Sequence, residues 1–177
     1  TVFGQTYGFA TAPIYPGSCN GNYTDANYYK RGGGLVRVHA AGTVVLGGSL
    51  IANGPSSTYY GGPSGGGIWI TAARFRFKPG SLLHARGGKS NYDYSGGGGG
   101  RIALGINLTE EDLVQLAATG LPVSRVEAYD APAFHARYGG VSVDVTPVTV
   151  RTDEKSAQPG TFVLLDATRH GSLLMLR

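Results

Sequence analysis

The chain has 177 residues, 30 of them glycine, a 41% hydrophobic fraction, a net charge of +4 and a single cysteine, Cys19. That length is enough to bury a core, so the glycines are not those of a flexible linker, and a lone thiol excludes an internal disulfide. The basic residues are dispersed rather than clustered, which excludes a nucleic-acid-binding arm, and no apolar run reaches membrane-spanning length, so no membrane insertion is expected.

Residues 1–30, beginning TVFGQTYGFA, lack the basic start and apolar core of a signal peptide and read as an N-terminal coil or cap. RGGGLVRV (31–38) then returns as SGGGIWIT (64–71) and again as GGGGRIAL (97–104), at intervals of 33 residues. GGSLIANG (47–54) and GSLLHARG (80–87) keep the same spacing. Each unit reads as three short strands, LVRVHA, TVVL and SLIAN, then IWITAA, RFRF and SLLHA, closed by a Tyr/Ser/Gly loop. Such self-similarity marks stacked units that bury their apolar edges against their neighbours. Ankyrin repeats share the period but need two helices per unit, which these β-type runs cannot supply. The pattern predicts an all-β fold: a parallel β-solenoid (β-helix) of about three 33-residue coils over 31–108. Segments 35–38, 68–71 and 101–104 would pair in parallel in one sheet, about 4.8 Å apart. Gly34, Gly67 and Gly100 fall at equivalent corners, where glycine permits close backbone approach and positive φ.

The third unit is interrupted by TEEDLVQLAATG (109–120). Thr109 and Asp112 make a capping pair, Leu113, Leu116 and Ala117 an apolar face, and Gly120 a stop, which predicts a short helical insertion near 109–118. SRVEAYD (124–130) reads as the delayed counterpart of SLLHARG, and 121–177 as irregular closing coils, GSLLMLR echoing GSLLHAR. The whole of 1–177 is expected to be one domain. Open strand edges at the ends of such a stack invite head-to-tail self-association or contact with neighbouring domains.

The chemistry is sparse. The glycine runs lack phosphate-loop spacing, and His39, His84, His135 and His170 lack metal-ligand spacing, so neither a metal nor a cofactor is expected. Asp93 is the only acidic residue in 31–104, whereas glycan cleavage needs clustered carboxylates. Two surface features stand out. Tyr59, Tyr60, Tyr92 and Tyr94 lie in successive loops, and Tyr59 and Tyr92 share the 33-residue register. They read either as a ladder of rings for sugars or as packing over the glycine loops, with Tyr60 and Tyr94 the better surface candidates. In RFRFK (74–78), Phe75 and Phe77 face one way and Arg74, Arg76 and Lys78 the other, forming a basic stripe that reads either as a solvated face or as a contact for an anionic polysaccharide or an acidic neighbour.

PGSCNG (16–21), RGGGLVRV, GSLIANG (48–54), SGGGIWIT and GGGGGRIAL (96–104) together resemble the glycine-rich, β-helix-like repeat region of large secreted and surface proteins of environmental bacteria. The resemblance runs from about Tyr7 to Leu104. It implies an extracellular or cell-surface module whose signal peptide has been removed, and it offers no catalytic residue to carry over. The expected function is a non-catalytic structural or adhesive module, as a filament subunit or part of a surface protein. A carbohydrate-binding module using the tyrosine loops is the alternative, and a polysaccharide lyase or hydrolase the third.

Overall fold

The structure, a computed structural model, describes residues 8–20, 30–57, 61–90, 96–148 and 157–168. Three passes of the chain lay down parallel strands. The first gives β1 (Leu35–His39), β2 (Thr43–Leu46) and β3 (Ser49–Ile51); the second gives β4 (Gly67–Ala72), β5 (Arg74–Phe77) and β6 (Ser81–His84). The third begins with β7 (Arg101–Ile106) and continues through α1 (Glu110–Thr119), β8 (Glu127–Tyr129) and α2 (Ala131–Arg137) to β9 (Val141–Asp144); β10 (Thr161–Asp166) follows. Among the described residues the strands form three sheets, ordered β1-β4-β7-β10-β8, β2-β5 and β3-β6-β9.

The expected all-β solenoid does not form. The described residues are mixed α/β, with ten strands in three separate, mostly parallel sheets and two helices, and among them no solenoid closes. The reason lies in the third pass. Among the described residues it places no strand on the β2-β5 sheet, and between β7 and β9 the chain runs through α1, β8 and α2 instead. SRVEAYD is not the counterpart of SLLHARG either: β8 runs antiparallel against β10, whereas β9 pairs with β6. The GSLLMLR echo lies outside the described residues.

Segments 35–38, 68–71 and 101–104 do pair in parallel in one sheet, with Val36 opposite Ile68 and Ile68 opposite Ile102. Strand alternation turns Val36, Ile68, Ile102 and Phe162 inward as one row, and Val38, Ile70, Leu104 and Leu164 as the next. All of these but Val38 join Phe75 of β5, Leu83 of β6 and the adjacent Ala85 in the main core. On the outer face of the large sheet a second cluster forms, where Leu113 and Leu116 of α1 cover Trp69, Ala103 and Leu165.

The helix is held as its sequence predicts. Thr109 and Asp112 form a reciprocal capping box, and Gly120, at φ 75°, ends the helix with its N–H on the Leu116 carbonyl. Of the two constraints expected of the glycine runs, close approach and positive φ, only the first applies. A Cβ on Gly66 would fall on the carbonyl oxygen of Gly34, one on Gly100 on that of Gly66, and one on Gly160 on that of Gly100. A parallel column, Gly33, Gly65 and Gly99, meets the carbonyls of Ala52, Ala85 and Val145. Close approach is therefore the requirement, since none of these glycines has positive φ. The column is also offset from the predicted one: a methyl on Gly34 meets nothing within 4 Å, and one on Gly67 meets Leu35 Cδ1 at 3.0 Å.

Candidate functional site

The two ends of the stack differ. At the far end β8 covers the outer edge of β10, with Leu164 opposite Tyr129 and Asp166 opposite Glu127. Beside it α2 starts on Asp130, whose carboxylate accepts from the Ala133 N–H, with Pro132 in the first turn. Phe134 of α2 is fully buried, its ring 5.5 Å from Phe77 and 4.8 Å from Phe162. It thus packs against Phe77, the last residue of β5, in the sheet to which the third pass adds no strand among the described residues. Arg137 clasps the end, its Nη1 2.6 Å from Oδ2 of the buried Asp166. Burial alone would raise the Asp166 carboxyl, but hydrogen bonds from Thr168 and Arg137 hold it below the usual carboxylate range.

At the first-pass end, β1, β2 and β3 each have a partner on one side only among the described residues. The core is unfinished there. Val38 is 38% exposed although its register partner Ile70 is 1% exposed, and Val36, Val44, Leu46 and Leu50 are only half-buried. Val45 and Ile51 are 56% and 55% exposed. No proline or charge protects β2 or β3, the usual defences of an edge strand.

The basic stripe lies one strand in from this edge. Phe75 and Phe77 turn inward, while Arg74, Arg76 and Lys78 are exposed, with no acidic partner among the described residues. Arg74 and Arg76 sit opposite Thr43 and Val45 of β2, and the Lys78 stem lies over Gly47, where a Cβ would come within 2.9 Å of its Cδ. Tyr59, Tyr60, Tyr92 and Tyr94 lie outside the described residues. Their flanks are placed: Ser57 and Ser90 form a buried parallel bridge, and Asn20 Nδ2 donates to Ser57 Oγ at 2.9 Å.

One constellation escapes the 33-residue reading. On the β3-β6-β9 sheet His84 Nε2 lies 3.1 Å from Ser142 Oγ, and His84 is the register partner of Asp144. The insertion hides it by moving β9 to an offset of 60 residues from β6. It is not a hydrolytic triad, because the Asp144 carboxylate is turned to Thr146, whose N and Oγ1 donate at 3.0 and 2.7 Å, and to Arg86 Nε at 3.6 Å. Burial would raise the Asp144 carboxyl, but these Thr146 hydrogen bonds and the charges of Arg86 and His84 lower it. Among the described residues no three His, Cys, Asp or Glu side chains converge as metal ligands, and no helix is long and apolar enough to cross a membrane. A shallow groove of about 360 Å³ runs between α1 and β1, where Arg37 stacks its guanidinium 4.6 Å from the Trp69 ring centre.

No family profile, curated protein or solved structure matches this chain.

Proposed function

We propose that the protein is a non-catalytic structural or adhesive module of the bacterial cell exterior, held in place through its first-pass end. The observation that carries this reading is the set of three open strand edges around an unfinished core. Each presents a row of backbone donors and acceptors that another chain can pair, with exposed aliphatic side chains beside it to bury. The extracellular setting rests on the resemblance of the glycine-rich motifs.

The test is association of the purified chain, followed by light scattering and cross-linking, against a Val45→Lys/Ile51→Lys variant. The wild type should associate, and the variant should not, at an almost unchanged melting temperature, since both side chains are more than half exposed. Equal behaviour of the two proteins would refute the reading. A second reading, binding of an anionic polysaccharide, is favoured by Arg74 and Arg76 on β5 and Lys78 just after it, which have no acidic partner among the described residues. It predicts retardation in glycan-affinity gels that weakens as salt rises.

A further inference from the structure

Resting on the reading of the first-pass end as a docking surface, we propose that its partner is a second copy of this chain, joined first pass to first pass about a two-fold axis through β2. The two ends of the molecule decide against head-to-tail stacking. A neighbour seated on the far end would have to displace β8 from β10 and Phe134 from between Phe77 and Phe162. The first-pass end of a second copy offers the same three open edges and the same half-filled inward rows. A contact of that kind is self-complementary and closes at two chains.

Charge disfavours an axis through β1, and strand length favours β2, with four residues, over β3, with three. Arg37 lies at the middle of β1, so an axis through that strand would set it against the second copy's Arg37. The β2 strand, TVVL, carries no charge. Antiparallel pairing of two β2 strands keeps inward residues together when Val45 faces the second copy's Val45 and Val44 faces its Leu46. The same axis brings β1 to the second copy's β3, which is uncharged. Val44, Leu46, Val38 and Leu50 then become interior. The two basic stripes end up three strand spacings apart, about 14 Å, where salt screens their repulsion because the Debye length is about 8 Å at physiological ionic strength. Association should therefore tighten as salt rises, the opposite of an anionic partner on the stripe.

The experiment uses the full chain carrying Cys19→Ser and Val45→Cys, with Val114→Cys on exposed α1 as the control. The expected results are a mass limited to two chains in sedimentation, a disulfide-linked dimer on oxidation at position 45 but not at 114, and severalfold tighter association between 50 and 500 mM salt. Growth past two chains, a dimer that does not cross-link through position 45, or association that weakens with salt would each overturn the symmetric pair while leaving the docking end intact. A chain that stays monomeric, with a Val45→Lys variant that still loses binding to a different protein, likewise overturns the pair alone. A monomer on which Val45→Lys changes nothing overturns both.

Discussion

Replacing Gly66 by Ala tests the packing of the passes most directly. The added methyl would lie on the carbonyl oxygen of Gly34 and against that of Gly33, both backbone atoms of the preceding pass. Relief requires opening the gap between passes, because neither carbonyl can rotate away. Gly34 accepts from the Gly67 N–H at 3.0 Å, and Gly66 itself donates to Ala52 at 2.7 Å and accepts from Arg101 at 2.9 Å. Loss or distortion of two of these bonds at about 1 kcal/mol each, with about 1–3 kcal/mol for overpacking, predicts a destabilisation of about 3–5 kcal/mol. In a chain of this size that lowers the melting temperature by about 10 °C. Gly34→Ala is the matched control: its methyl meets open space, and the loss of unfolded-state freedom makes it neutral or stabilising by about 0.5 kcal/mol. Thermal unfolding by circular dichroism compares the two. Equal melting temperatures for Gly66→Ala and Gly34→Ala would show that the glycine column is compositional and that the passes are not in such close contact.

Three further outcomes are expected. Burial would raise the Asp112 carboxyl, but hydrogen bonds from Ser124 and Thr109 outweigh it and hold the group at about 2. A carboxyl depressed from 3.8 contributes stability that is present above about pH 4 and lost as the pH falls towards 2, so denaturant titrations at pH 7 and pH 2 should show Asp112→Asn costing about 2 kcal/mol at pH 7 and nearly nothing at pH 2. Phe134→Ala should cost about 3–5 kcal/mol in urea unfolding, as a fully buried ring truncation does; a cost below 1 kcal/mol would mean that α2 does not close the core. Arg137→Met leaves the Asp166 carboxylate buried without its cation, and should cost about 2 kcal/mol by the same assay, less than for a fully buried pair because the Arg137 side chain is 41% exposed; Asp166→Asn in the same background should recover part of it.

What the sequence disclosed and what it hid follow from the range of the signal each element carries. The strands of the first two passes were legible because their apolar runs repeat and their glycines recur beside them. The helix α1 was legible from local chemistry alone, with Thr109, Asp112 and Gly120 at cap spacing and Leu113 and Leu116 on one face. The register was only approximately readable. The glycine motif repeats at 33 residues, but the pairing steps by 32 between β1 and β4 and by 34 between β4 and β7. For that reason the crowded column is Gly66, Gly100 and Gly160 rather than Gly34, Gly67 and Gly100. The second helix was missed although Asp130 and Pro132 form a cap-and-first-turn signature, because EAYD beside it imitates the end of SLLHARG. The antiparallel pairing of β8 had no local signal, since three residues fit either edge and tertiary context decides. The basic stripe was readable from strict alternation, and Arg74, Arg76 and Lys78 are exposed as that alternation requires. The open edge beside it was not, because exposure of Val45 and Ile51 depends on what fails to cover them.

The insertion explains why the two ends of the molecule are unlike. Pairing of β7 with β10 and of β6 with β9 is offset by the same 60 residues, so both sheets resume their register after a single excursion of the chain. That excursion removes one strand from the β2-β5 sheet and spends its residues on the far end, where β8 occupies the edge of β10 and Phe134 completes the row begun by Phe75 and Phe77. A three-residue strand carrying Glu127 is a poor template for further pairing, which is how edges are commonly blunted. Among the described residues nothing comparable guards TVVL or SLI at the other end, where the β-branched Val45 and Ile51 stand exposed beside strand edges without a second strand partner. Among the described residues, growth of the stack is thus hindered at the far end by β8 and α2, although β9 keeps one edge without a strand partner there, and is left open at the first-pass end. The proposed symmetric pair would cover the β2 edge of both copies at once.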